Sequence, residues 1–148
     1  MKSLKKSGKN YLKVVRLMAQ EKNFEDKVKA YLKNQGCYFI KYWGGAAYTK
    51  AGVPDLLVCA WGQFIGIELK APKGEPSLLQ LKHLERIQKA GGWGILLYPG
   101  EFEQFKIWLD DRLEKRNWYL KNLELQEFWK NKLERRLEKD GNKEEGNT

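Results

Sequence analysis

The chain has 148 residues, 42% of them hydrophobic and 13% aromatic, which suits one domain with one core plus a few extra helices and excludes wholesale disorder. Its 28 basic side chains outnumber 19 acidic ones, and a formal net charge of +9 favours an anionic partner, either nucleic acid or an acidic membrane surface. Cys37 and Cys59 are the only cysteines and have no paired spacing, so a disulfide framework or a zinc site is excluded and buried, reduced thiols of a cytoplasmic protein are expected.

Residues 1–20 are basic and weakly patterned through Lys2, Lys5, Lys6, Lys9, Lys13 and Arg16, and they read as a flexible arm that turns helical near residues 11–18. The opening Met1-Lys2-Ser3-Leu4-Lys5-Lys6 lacks the apolar stretch of a secretory signal, and no later run is long and apolar enough to span a bilayer. The expectation is a protein that stays inside the cell that makes it, away from membranes. Asn23 is the expected cap of a helix running to about Gln35, stopped by Gly36, with Val28, Tyr31 and Leu32 as its apolar stripe. Glu25 falls on or beside that stripe.

Residues 37–43 are aromatic and apolar and predict a strand, and residues 44–54, with Gly44, Gly45 and Gly52, predict a loop. Residues 55–60 predict a second strand. Trp61-Gly62-Gln63 turns the chain tightly, so residues 64–70 return as an antiparallel third strand. After the loop 72–76, a helix is predicted over residues 77–90, with Leu78, Leu81, Leu84 and Ile87 as its apolar positions and Gly91-Gly92 as its end. Residues 93–98 predict a fourth strand. Phe102, Phe105, Trp108, Leu109 and Leu113 mark an amphipathic helix. A last helix is predicted over about 119–139, with Leu125, Trp129, Leu133 and Leu137 recurring every fourth residue; its aromatic content points to packing on the domain or on a second subunit. The order is a mixed four-stranded sheet flanked by helices, α-β-β-β-α-β with extra C-terminal helices, an α/β architecture. It divides into a basic arm (1–20), a main domain (21–115) and a helical extension (116–148).

The chemistry is expected on the hairpin. Side chains alternate along a strand, so Glu68 and Lys70 share one face while Ile65, Ile67 and Leu69 take the other. Asp55 opens the neighbouring antiparallel strand and lies beside the end of the third. Two carboxylates brought together repel unless a cation lies between them, and Mg²⁺ commonly takes one or two carboxylates together with water and phosphate oxygens. Such an ion polarises a phosphodiester and lowers the pKa of a bound water, and a lysine beside it orients that water or offsets charge on the phosphate. An E-x-K triplet by itself is only a solvated strand face; its position across a hairpin from Asp55 gives it weight. Lys73, in the loop after Lys70, and Lys82, Arg86 and Lys89, on the exposed side of the following helix, are candidate contacts to phosphates. His83 is expected on the surface, and Gly91-Gly92-Trp93-Gly94 as a turn rather than a phosphate-binding loop.

Pro54-Asp55, a hairpin, and Glu68-Leu69-Lys70 resemble the signature of the PD-(D/E)XK nucleases. More narrowly, the stretch from Phe24 to about Leu113 resembles the VRR-NUC domain family, through Glu25, Gly52-Val53-Pro54-Asp55-Leu56, Ile67-Glu68-Leu69-Lys70 and Ser77-Leu78-Leu79-Gln80. The resemblance implies a restriction-endonuclease-like core and a Mg²⁺-dependent endonuclease, with Mn²⁺ able to substitute. Asp55, Glu68 and the Leu69 carbonyl would ligate the metal, with Glu25 reaching it directly or through water. Lys70 would position the attacking water and Gln80 would complete the site. Virus-encoded single-domain members resemble Holliday-junction resolvases that work as dimers. The resemblance therefore implies branched DNA as substrate, a homodimer, and a phage or other viral origin with action inside the host cell. The loop 43–50 departs from the Arg/Asn-containing stretch commoner in that family, which leaves its DNA contacts to Lys41 and Lys50. Gln80 also fits a capping box with Ser77, and Glu25 the favourable end of a helix dipole. The alternative is a non-catalytic DNA-binding module that has kept the nuclease fold.

Overall fold

A computed structural model describes residues 2–114 and 124–145. Two compact units divide between Glu114 and Lys115. The first contains α1 (Lys2–Asn34), β1 (Tyr38–Lys41), β2 (Leu56–Ala60), β3 (Gln63–Leu69), α2 (Leu78–Lys89), β4 (Trp93–Leu97) and α3 (Phe102–Glu114), with a 3₁₀ turn at Pro99–Glu101 leading into α3. The strands form one open mixed sheet in the order β1-β2-β3-β4, antiparallel except for the parallel β3–β4 pair. This is the α/β sheet with flanking helices that the element order predicts.

Helix α1 is longer than expected. It is continuous from Lys2 to Asn34, so Asn23 is an exposed mid-helix residue and not a cap, and residues 2–20 are helical instead of a flexible arm. The physical reason is the lack of a breaker: the segment has no proline and only Gly8, amid Lys, Leu, Ala, Gln and Glu, which all favour helix. This first half is not covered by the rest of the unit, for Tyr11, Leu12 and Met18 are largely exposed. The other end stops where the sequence says. Gly36 takes φ +72, its amide donates to the Lys33 carbonyl, and the Cys37 amide donates to the Leu32 carbonyl, which together make a Schellman cap.

The β2–β3 connection is a two-residue turn, Trp61 and Gly62, both with positive φ (43 and 80), as the twist of a tight hairpin requires. Ala60 pairs with Gln63 and Leu56 with Ile67, which fixes the register of the site.

The two faces of the sheet are covered unequally. Leu56, Val58, Ile65, Ile67, Leu69 and Leu97 are buried against Phe24, Val28 and Leu32 of α1 and Phe105 and Leu109 of α3. The aromatic rings there meet edge to face, Phe24 on Phe102 at 5.7 Å and Trp93 on Trp108 at 5.1 Å. The opposite face carries α2 over β3 and β4 alone. On the uncovered part Tyr38, Ile40, Phe64 and Cys59 are exposed, so Cys59 is not the buried thiol expected from its apolar surroundings.

Glycine lets α2 lie close. A Cβ on Gly94 would stand 2.2 Å from the Leu84 carbonyl oxygen, and one on Gly66, its partner across the parallel ladder, 2.4 Å from Ile87 Cδ1. Gly94 is therefore a packing residue rather than part of a turn. This close seat also changes which side of α2 is buried. Leu84 is buried and Ile87 and His83 are half-buried, while Leu78 and Leu81, expected on the apolar stripe, are exposed.

The second unit contains α4 (Glu124–Glu145), with Phe128, Leu133 and Leu137 exposed. The start expected for this helix, near Tyr119, lies outside the described residues. Among the described residues no helix is long and apolar enough to cross a membrane.

Candidate active site

The β2–β3 register, continued one step past Leu56–Ile67, sets Asp55 opposite Glu68, so the two carboxylates start from the same face of neighbouring strands. Asp55 is held from three directions. Its backbone carbonyl accepts the Tyr42 amide at 2.8 Å, its Oδ2 accepts the Leu69 amide at 2.9 Å, and its Oδ1 accepts from Lys41 Nζ at 3.2 Å. The preceding loop reaches this position through Gly52. Its φ is +77, a left-handed backbone that strains other residues, and a Cβ there would lie 2.5 Å from Leu79 Cγ, so a side chain at this position would crowd α2. The loop also covers His83, leaving that side chain half-buried instead of on the surface.

Glu68 is the one charged side chain that is buried among the described residues, with 1% of its surface exposed. Its Oε1 accepts from Lys70 Nζ at 3.0 Å and from Gln80 Nε2 at 2.5 Å. Its Oε2 is buried and accepts no hydrogen bond. Burial, and secondly the Asp55 charge, push the Glu68 carboxyl up from 4.5 to about 7, against the pull of Lys70.

Gln80 does two things at once. Its Oε1 accepts the Ser77 amide at 2.8 Å and its own amide donates to Ser77 Oγ, a complete capping box, while its Nε2 holds Glu68. The cap thus aims the side chain that touches the acid. The loop after Lys70 is pinned as well, because Tyr98 Oη donates to the Gly74 carbonyl at 2.8 Å.

Glu25 comes from α1 and joins Asp55 through Lys41, whose ammonium is 2.7 Å from Glu25 Oε2. Glu25 Oε1 pairs with Lys29 at 3.1 Å. Burial works against the Lys41 ammonium, but the Glu25 hydrogen bond and the Asp55 charge outweigh it and raise the pKa above the usual lysine value. Sequence reasoning groups Lys41 with the DNA contacts; its ammonium is instead occupied inside the acid cluster. Alternation along β1 gives no sign of this, since the partners come from a helix and a loop far apart in sequence. Lys50, Lys73, Lys82 and Arg86 are exposed to solvent.

The donor set suits a hard divalent cation. It offers carboxylate oxygens, one of them a buried oxygen with no other partner, and no sulfur. Among the described residues, however, no three acidic, His or Cys side chains are gathered closely enough to hold an ion as they stand. Asp55, Glu68 and Lys70 come together at one end of the β2–β3 hairpin, and Glu25 is linked to them by Lys41. No protein-family model matches the chain, and no curated protein matches it either.

Proposed function

We propose that the chain is a Mg²⁺-dependent endonuclease of the PD-(D/E)XK superfamily, VRR-NUC-like with a restriction-endonuclease-like core, that hydrolyses phosphodiester bonds of branched DNA. The observation that carries this reading is the buried Glu68 with one oxygen unpartnered, set across the hairpin from Asp55 and paired with Lys70. A carboxylate buried without full hydrogen bonding is costly, and a structural role alone gives no reason to keep it.

Asp55 and Glu68 would hold the metal, with the Leu69 carbonyl and Glu25 beside them. When bound, Mg²⁺ would neutralise charge on the scissile phosphate and make a coordinated water more acidic. The chain's own groups do the rest. The Leu69 amide fixes the Asp55 carboxylate. Gln80 fixes Glu68 and is itself fixed by the helix cap, so the acid keeps its rotamer. Lys70, only 13% exposed, is paired with Glu68 and would orient a water or offset charge on a phosphate at the same edge. In the hydrolysis one P–O bond forms and one breaks, and the proton lost by the water is balanced by the proton gained by the departing oxygen. Lys50, Lys73, Lys82 and Arg86 supply exposed positive charge for the DNA backbone, which is salt-sensitive and blind to sequence.

The test is cleavage of junction, flap, nicked and linear DNA with Mg²⁺, repeated in EDTA and with Asp55→Ala. Metal-dependent cutting that is strongest on branched substrates and lost in the variant is expected. Equal cutting by both proteins rejects the reading. Salt-sensitive DNA binding with no cutting under any condition favours the non-catalytic module.

A further inference from the structure

Lys41 occupies the place between two of the acids that the proposed function assigns to a metal. Each oxygen of those two acids has a partner. Glu25 Oε1 meets Lys29 at 3.1 Å and Oε2 meets Lys41 at 2.7 Å; Asp55 Oδ1 meets Lys41 at 3.2 Å and Oδ2 meets the Leu69 amide at 2.9 Å. Only Glu68 Oε2 is left without one. The Lys41 side chain is 18% exposed, so its charge is poorly screened by solvent.

We propose that Lys41 is a resident cation: it holds Glu25 and Asp55 together in the metal-free chain, sets how tightly the site takes a divalent ion, and withdraws from the two acids when the ion is taken up. An ammonium and a divalent ion cannot share these oxygens without strong repulsion in a half-buried site. Lysine is suited to leave, because its charge is carried at the end of a flexible four-carbon stem. It also has somewhere to go. Its Nζ already stands 5.5 Å from the centroid of the Trp43 ring, which is 75% exposed at the solvent edge. Lys41 is therefore a positioning residue that trades affinity for order: it prevents the acids from repelling one another before the metal arrives, and it weakens metal binding as a result.

The inference rests on the metal-binding reading of this site, and the test separates the two. Mn²⁺ binding is measured by electron paramagnetic resonance and Mg²⁺ binding by calorimetry on the full chain without DNA, for wild type, Lys41→Met, Lys41→Gln, Lys41→Arg and Asp55→Ala. Circular dichroism confirms that each variant is folded, and Lys41→Gln replaces Lys41→Met if the latter is not. Removal of the charge is expected to tighten Mn²⁺ binding about tenfold or more, while Lys41→Arg stays near wild type and Asp55→Ala loses binding. If the neutral variants bind no tighter than wild type while Asp55→Ala still abolishes binding, Lys41 is not a competing cation and the metal site stands. If none of the proteins binds either ion, the metal-binding reading falls and takes this inference with it.

Discussion

The two faces of the sheet solve different problems with neighbouring residues. On one, Ile65, Ile67 and Leu69 are fully buried under α1 and α3 among apolar and aromatic side chains. On the other, one residue along, Gly66 and Glu68 lie under α2, where the close seat of the helix depends on absent side chains and the buried Glu68 has an unsatisfied oxygen. The strand's alternation makes this division possible, since a single peptide step moves a side chain from the core to the chemistry. The apolar core that stabilises the fold lies on the first face and Glu68 with its partner Gln80 on the second, while Glu25 reaches the candidate active site from α1. Substitutions on the two should therefore separate the two properties.

The sharpest separation comes from Asp55→Ala. Cleavage should fall by at least about a thousandfold, the scale of losing a metal-assisted step. The variant should still fold, because the residue it removes is outside the apolar core. An urea titration together with a cleavage assay checks both halves; a variant that unfolds along with losing activity would blur the comparison.

Next in size, Gly94→Val should break the division from the α2 side. Its Cβ would lie 2.2 Å from backbone, so the helix must move, at a cost of roughly 3 kcal/mol or more. Because α2 carries Gln80, activity should fall with stability. Ile67→Ala is the control on the opposite face. It should cost about 3 kcal/mol through a core cavity, yet leave the folded fraction cutting at close to the wild-type rate. Equal loss of specific activity in both variants would show that the faces are coupled.

A pH comparison tests the buried acid itself in EDTA. Glu68 is raised from 4.5 to about 7 by burial and by Asp55, so between these values the folded chain keeps a proton that the unfolded chain has lost. Its contribution is fully present below about pH 4.5 and is lost as pH rises through about 7. Wild type should therefore lose stability relative to Glu68→Gln between pH 4.5 and 8, and urea midpoints at several pH values measure it. A parallel course for both proteins would show that Glu68 is not the titrating group. The smallest effect is expected for Gln80→Ala, which removes half of a capping box at about 1 kcal/mol and releases Glu68 Oε1 from one of its two partners. Activity should fall several-fold, with little change in metal-independent DNA binding.

Much of this was open to reading from residue order, because the forces involved act within a few positions. Alternation assigns Glu68 and Lys70 one face and Ile67 and Leu69 the other. Trp61-Gly62 closes the hairpin that brings Asp55 beside them, Ser77 and Gln80 form the cap, and Gly36 ends α1. Contacts between distant segments followed no such local rule. Lys41 looked like a surface phosphate contact until the end of β1 met Glu25 from α1 and Asp55 from the next loop. Gly94 falls in both the turn and the strand that the sequence predicts, and only the seat of α2 on it shows its use; the same seat leaves Leu78 and Leu81 in solvent and brings Gln80 to Glu68. The local sequence set which side chains each element could offer. Only the packing of helices on the sheet decided which of them met, since burial and ion pairing depend on neighbours that are far away along the chain.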